Sequence, residues 1–223
     1  MAITPPTRKT YAQYCPVARA LDVVGERWTL LIVRDLLMGP KRYTDLREGL
    51  PGIATDILTA RLRTLEQAGF VHRRELPRPA PATVYELTED SLQLRHAILA
   101  LGRVGMSTLG GPEAGEDVRP ERMVLGLRVS FRRAEFAELT ETYELTIDGE
   151  PFTVGVADGT VDTKPETASS PAIRLRTDAD TFVALLTGEL APAVALALDR
   201  AALEGEREVL ERFIEAFGFG HAA

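Results

Sequence analysis

TDILTARLRTLEQAGFVHRRE, residues 55–75, decides how the first half of the chain is read. Leu58, Leu62 and Leu65 recur at the three- and four-residue spacing that stacks side chains on one helical face. The stretch carries four arginines against three acids, and the arginines avoid the leucine positions. Opposite the leucines fall Thr55, Asp56, Thr59, Ala60 and Arg63, with Arg61 at the flank. A helix with a leucine keel and a polar, short-chained outer face can enter a DNA major groove. Small residues permit close approach, a threonine methyl can meet thymine, and arginine can pair bidentately with guanine. On an isolated helix such a face is more often merely solvated, so the neighbouring segments have to decide.

Val17, Leu21 and Val24 form a short apolar stripe before Gly25. Trp28, Leu31, Ile32 and Leu36 form a second, which stops at Met38-Gly39-Pro40. Both predict helices, with Trp28 in the core. Thr44 is placed to cap a third, short helix through Leu46 and Leu50, ended by Pro51-Gly52, and residues 55–68 make a fourth up to Gly69. A short helix, a tight turn and a longer helix follow helix-turn-helix order. Residues 70–73 then alternate as a strand, residues 77–82 (PRPAPA) form a stiff loop, and residues 84–87 return as a second strand, so that the hairpin makes a wing. A last helix, capped by Thr88, carries Leu92, Ile98, Leu99 and Leu101. Lys41, Arg42, Arg73, Arg74 and Arg78 flank the fourth helix and are expected to neutralise phosphates. Tyr43 and Thr44, at the start of the short helix, join the expected DNA-binding set.

The charge balance divides the chain. Its 223 residues, 45% apolar, can bury one large core or two modest ones, and the formal net charge is −7. Residues 1–110 hold 15 basic and 11 acidic side chains, whereas residues 111–223 hold 11 and 22. Between the halves lies GGPEAGEDVRPE, without a periodic apolar face. The expected organisation is a DNA-binding domain at 1–109, a linker at 110–121 and a second domain at 122–223. No apolar run approaches the roughly 20 residues that span a bilayer, so no membrane partner is expected. The N-terminal stretch has no signal-peptide pattern, and Cys15, the lone cysteine, can form no intrachain disulfide. Both features predict a cytoplasmic protein.

The second half reads as α+β. An amphipathic helix through Met123, Val124, Leu127 and Phe131 precedes two alternating strands, Tyr143-Leu145-Ile147 and Phe152-Val154-Val156. Each strand ends in an Asp-Gly pair suited to a tight hairpin. A third strand is expected near residues 160–163 and a fourth at 172–176. Helices then carry Phe182, Leu185 and Leu186, next Val194, Leu196 and Leu198, and finally Val209, Leu210, Phe213 and Phe217, with a short strand at 201–203 before the last. The fold class expected for the whole chain is α+β in two domains, a winged helix-turn-helix followed by this second α+β unit.

Two resemblances sharpen these expectations. Residues 15–101 resemble the winged helix-turn-helix domain of the HxlR family of bacterial and archaeal transcription regulators. The likeness is carried by Cys15-Pro16, Leu21, Gly25 with Trp28, the Arg42-Tyr43-x-x-Leu46 motif, the Leu58-Thr59-x-Arg61-Leu62-x-x-Leu65 motif and Tyr85-x-Leu87-Thr88. It implies a homodimer joined through its first and last helices, with paired recognition helices on double-stranded DNA. Three features depart from the family pattern. Ala54 stands where a capping serine is usual, leaving Thr55 or Asp56 to serve; Asp90-Ser91 replaces a basic residue and Gly; and Val104-Gly105-Met106 replaces a late aromatic. The resemblance also makes Cys15 a redox candidate, because a cysteine there can sense electrophiles or oxidants; this needs thiolate character, with Arg19 one turn away. The alternative is a small half-buried residue that comes with the motif.

Residues 123–217, with IRLRTDADTFVALLTGEL and ALEGEREVLERFIEAF, resemble the sterol carrier protein 2 (SCP2) fold. That likeness implies helices around a five-stranded sheet and a possible apolar tunnel, for which Phe152, Val154, Leu185, Leu186 and Phe213 are pocket candidates; the same residues could fill a solid core. The resulting expectation is a DNA-binding regulator that responds to a small hydrophobic ligand. Two rivals stand beside it, a lipid carrier without DNA binding and a thiol-based regulator acting through Cys15. An enzyme is disfavoured: His72, His96 and His221 are scattered, and no catalytic, metal-ligand or phosphate-loop motif occurs. No cofactor, metal or catalytic residue is expected.

Overall fold

The computed structural model describes residues 10–77 and 81–219 and divides into two compact units, residues 1–96 and 97–223. In the first, α1 (Pro16–Val24) and α2 (Thr29–Leu36) precede a two-residue strand, β1 (Lys41–Arg42). The short helix α3 (Tyr43–Glu48) and the longer α4 (Thr55–Gln67) follow, then the wing strands β2 (Val71–Leu76) and β3 (Ala82–Leu87). All three strands form one antiparallel sheet in the order β1-β3-β2. A 3-10 turn (Asp90–Gln93) leads into α5 (Leu94–Met106). Ile32, Val33, Leu36, Leu46, Leu58, Leu62, Leu65, Val71 and Val84 build the core of this unit. The leucine keel read from residues 55–75 is thus the buried face of α4.

Several local expectations change. Tyr43, not Thr44, opens α3, and the cap is supplied from inside the helix: the Arg42 N–H donates to Asp45 Oδ2 at 2.9 Å. Thr44 lies within the first turn, beyond the N-cap, and its hydroxyl donates to Asp45 Oδ1 at 3.3 Å. Trp28 is only partly buried. It precedes α2 in the left-handed region at φ 79°, so its ring leaves the apolar stripe, and the Arg27 guanidinium sits 5.1 Å above it. Along α1 the stripe splits: Val24 is buried, but Val17 and Leu21 are 64% and 39% exposed. Thr88 caps the 3-10 turn rather than a long helix, accepting from the Ser91 N–H at 3.3 Å while its hydroxyl donates to the Gly69 carbonyl at 2.8 Å. Ala54 is the N-cap residue of α4, and no side chain caps that end.

The second unit contains α6 (Pro120–Ser130), β4 (Glu141–Ile147), β5 (Glu150–Ala157), β6 (Thr160–Lys164), β7 (Ile173–Thr177), α7 (Ala179–Thr187), α8 (Pro192–Ala197), β8 (Ala201–Glu204) and α9 (Arg207–Phe217). Its sheet has five strands in the order β6-β5-β4-β7-β8. Only the β4–β7 pair is parallel; the other pairs are antiparallel. Asp148-Gly149 and Asp158-Gly159 turn the two hairpins with φ of 50°, 83°, 51° and 65°, the doubly positive geometry that matches strand twist. Alternation sends Tyr143, Leu145, Ile147, Phe152, Val154 and Val156 to one face, against Phe182, Leu185, Leu210, Phe213 and Phe217 of the helices. Arg128 ties α6 to edge strand β6: its buried guanidinium donates to Asp162 Oδ1 (2.7 Å), Thr163 Oγ1 (2.9 Å) and the Thr163 carbonyl (2.9 Å), which pairs a charge that would otherwise be costly to bury. Leu198 lies beyond α8 and is exposed.

Among the described residues, no helix is long and apolar enough to cross a membrane.

Candidate nucleic-acid interface

With the leucines of α4 buried, the helix presents Thr55, Asp56, Thr59, Ala60 and Arg63 to solvent on one face. Sequence periodicity therefore brings these five together as expected. Tyr43 and Thr44 extend the surface from α3, with Thr44 exposed and Tyr43 partly so. Tyr43 has a second role: its hydroxyl lies 2.9 Å from the Thr55 carbonyl and 3.1 Å from Thr59 Oγ1, and Thr59 Oγ1 lies 2.8 Å from the same carbonyl. Two hydroxyl protons serve three close oxygen contacts. When both donate to Thr55, the Tyr43–Thr59 edge has no proton, and either hydroxyl can turn toward an incoming acceptor. This clasp joins α3 to the first turn of α4, the end left without a side-chain cap.

The arginines separate into paired and unpaired groups. Arg63 and Arg42 are exposed and make no ion pair among the described residues. Arg73 lies along the wing with Nε 2.7 Å from Glu66 Oε1 and its guanidinium 5.3 Å from the centre of the Tyr85 ring. The hydrogen bond that Arg73 donates to Glu66, then the charge interactions with Tyr85 and Glu66, hold Arg73 protonated beyond its ordinary range. Arg74 pairs with Glu86 at 2.7 Å. Arg61 is held by Glu26, with Nη2 3.3 Å from Oε2. Arg78 lies outside the described residues. Sequence periodicity could not separate these groups, because Glu26 and Glu86 come from other elements.

Cys15 is half-buried at the N-cap of α1. The guanidinium of Arg19, one turn on, is directed to Asp22, with Nη1 3.9 Å from Oδ2. Asp22 also accepts from the Thr10 hydroxyl at 3.0 Å and the Tyr11 N–H at 2.9 Å, which tethers the segment before the helix.

In the second unit Phe152, Val154, Leu185, Leu186 and Phe213 are all buried. Phe213 stacks edge-on to Tyr143 at 4.9 Å between ring centres and lies 4.7 Å from Phe217. The Tyr143 hydroxyl donates to Glu141 Oε2 at 2.6 Å, and Glu141 is also ion-paired to Arg212. Burial is the main cause that pushes Tyr143 far above its ordinary range, with Glu141 adding to it. A recess of about 520 Å³ opens elsewhere, lined by Thr142, Gly155, Thr160, Asp162, Pro171 and Ala172 among others, and by none of those five. Its floor follows from the cross-strand row Thr142–Gly155–Asp162: the central residue has no side chain, and a Cβ there would meet nothing within 4 Å. Periodicity does not mark this feature, since a glycine between Val154 and Val156 looks only like a weak strand position.

Comparison with known proteins gives two family matches in succession along the chain. The HxlR-like helix-turn-helix family matches residues 23–111, and the SCP-2 sterol transfer family matches residues 127–218. An uncharacterized HTH-type transcriptional regulator of Synechocystis, sll1512, is 33% identical over 95 residues, covering 43% of this chain and 70% of that protein. The HTH-type transcriptional regulator YodB of Bacillus subtilis is 38% identical over 82 residues, covering 36% and 73%. Among solved structures, the redox regulator HypR in its reduced form superposes with a TM-score of 0.39 at 34% identity, covering 42% of this chain and 93% of that one.

Proposed function

The chain belongs to the HxlR-like helix-turn-helix family of transcriptional regulators, and from that premise we propose that α4 is the helix that reads double-stranded DNA in the major groove. The observation that carries this reading is the exposed, short-chained face of Thr55, Asp56, Thr59, Ala60 and Arg63 on a helix anchored by buried leucines and clasped by Tyr43. Arg42, Thr44, Arg73 and Arg74 supply phosphate contacts on either side, the last two after exchanging a carboxylate partner for a phosphate. The test is to recover a duplex from a randomised pool with the full chain and then to measure binding by Arg63→Ala. A loss of about 1–3 kcal/mol with relaxed preference at one base position is expected. Unaltered affinity and preference would remove Arg63 from the interface.

The working species is a homodimer in this reading. The exposed apolar positions of α1, and Leu101 and Val104 of α5 at 54% and 72% exposure, support self-association. Residues 1–109 would act as the DNA-binding domain and 122–223 as the sensing domain, with 110–121 between them, in the cytoplasm where the DNA lies.

The sensing domain binds a small hydrophobic ligand, a reading supported by the match to a sterol transfer family and by the recess over Gly155. A thermal-shift series on the full chain with lipids and aromatic metabolites tests it. A shift present in wild type and lost in Gly155→Val, which fills the floor from an extended strand position, is the expected result. Absence of any shift across the series would end the sensing reading while leaving DNA binding intact.

A further inference from the structure

We propose that Arg61 is a positioning residue and not a DNA contact: its pairing with Glu26 ties α4 to the α1–α2 turn and sets how the reading face is presented. The inference rests on the DNA-reading role of α4 given above. Arg61 occupies the flank of the helix, between the leucine keel and the solvent face, and its side chain is only 20% exposed. Nη2 lies 3.3 Å from Glu26 Oε2, and Nε is buried with no hydrogen-bond partner among the described residues. A guanidinium that has already given up one N–H to burial and directed another to a carboxylate is held in place. To reach a base it would have to leave Glu26 and expose a shielded stem. Arg63, two residues on, has no such constraint and faces solvent.

The other end of the tie has a half-exposed side chain on a constrained turn. Glu26 sits in the turn between α1 and α2, next to Arg27, which stacks on Trp28, and two residues before the left-handed Trp28 backbone at φ 79°. A partly buried tryptophan in that region persists only where the surroundings hold it. Helix α1 also packs on α4. The Glu26–Arg61 pair therefore adds a charged contact to the packing of the reading helix on the element whose outer apolar stripe is offered for self-association, so that the angle of α4 and the placement of the dimer are linked.

The experiment uses the full chain and the duplex recovered by wild type, with binding followed by fluorescence anisotropy from about 50 to 200 mM salt. Arg61→Gln, Glu26→Gln and the double variant are compared, with Arg61→Lys as a variant that keeps the charge. Each single change is expected to weaken binding by about two- to fivefold. The double variant should be no weaker than either single one, and the slope of log affinity against log salt should match wild type. Arg61→Lys should recover part of the loss. A slope reduced by about one counterion in Arg61→Gln alone, with Glu26→Gln binding normally, would show that Arg61 reaches phosphate and would overturn the proposal. A base preference altered by Arg61→Gln and not by Glu26→Gln would overturn it too, as would normal binding by both. If the glutamine variants lose their melting transition, the decision falls to Arg61→Lys and Glu26→Asp, which keep both charges: a partial loss in both with an unchanged slope supports the tie, and normal binding by Glu26→Asp or a changed base preference in Arg61→Lys alone contradicts it. Failure of wild type to enrich any duplex would instead count against the reading of α4, and this proposal would fall with it.

Discussion

Ala54 shows how a single missing atom can be read from sequence and checked in the structure. It occupies the N-cap of α4 with extended φ and ψ of −75° and 145°, the geometry from which a serine hydroxyl reaches the N–H groups of the first turn. Neither Thr55 nor Asp56 takes over, because the helix has already begun at Thr55. Ala54→Ser is therefore expected to stabilise the first unit by about 1 kcal/mol, measured as a raised urea midpoint with an unchanged slope. No gain would mean that water already satisfies that end. The outer face of α4 was legible in the sequence because periodicity alone decides which side faces the core. The state of its charges was not: Glu26 and Arg61 are 35 positions apart, and only the packing of α1 against α4 brings them together.

At the scale of elements, turn and cap chemistry carried most of the reading of the second unit. The Asp-Gly pairs at 148–149 and 158–159 placed the hairpins, and strict alternation placed β4 and β5, because each side of a strand has one environment. The two-residue strand β1 escaped, since it is defined only by pairing Lys41 with Tyr85 and Arg42 with Val84, contacts with no local signature. Helix α7 offers a direct test of such local chemistry. Asp178 caps it by accepting from the Thr181 N–H at 2.7 Å and the Thr181 hydroxyl at 2.9 Å. Burial acts to raise the Asp178 carboxyl, but the Thr181 hydrogen bonds prevail and hold it below the ordinary value of 3.8. A depressed carboxylate stabilises above the unfolded value and loses that contribution as pH falls through the folded one. Asp178→Ala should cost about 1 kcal/mol at neutral pH, and the gap from wild type should close well below pH 3.8, as read from chemical denaturation at both conditions.

For the whole molecule, the asymmetry of charge has a functional sense. The first unit is the one proposed to approach a polyanion, whereas residues 111–223, with 22 acids against 11 bases, are expected to be repelled from one. The positions expected either to line an apolar tunnel or to fill a solid core are all buried, with Phe213 against Tyr143 and Phe217. Sequence could not separate those outcomes, because a tunnel wall and a core contact call for the same side chains. A ligand that alters DNA binding must prefer one arrangement of the dimer, since equal affinity for both shifts nothing. The central claim is that this protein binds duplex DNA as a dimer through electrostatically assisted contacts from α4 and the wing. Its most direct test is a salt titration of this chain on the selected duplex, with stoichiometry read in the same experiment. Two chains per duplex are expected, with affinity falling steeply and log-linearly as salt rises and several counterions released. One chain per duplex, or an affinity indifferent to salt, would contradict it.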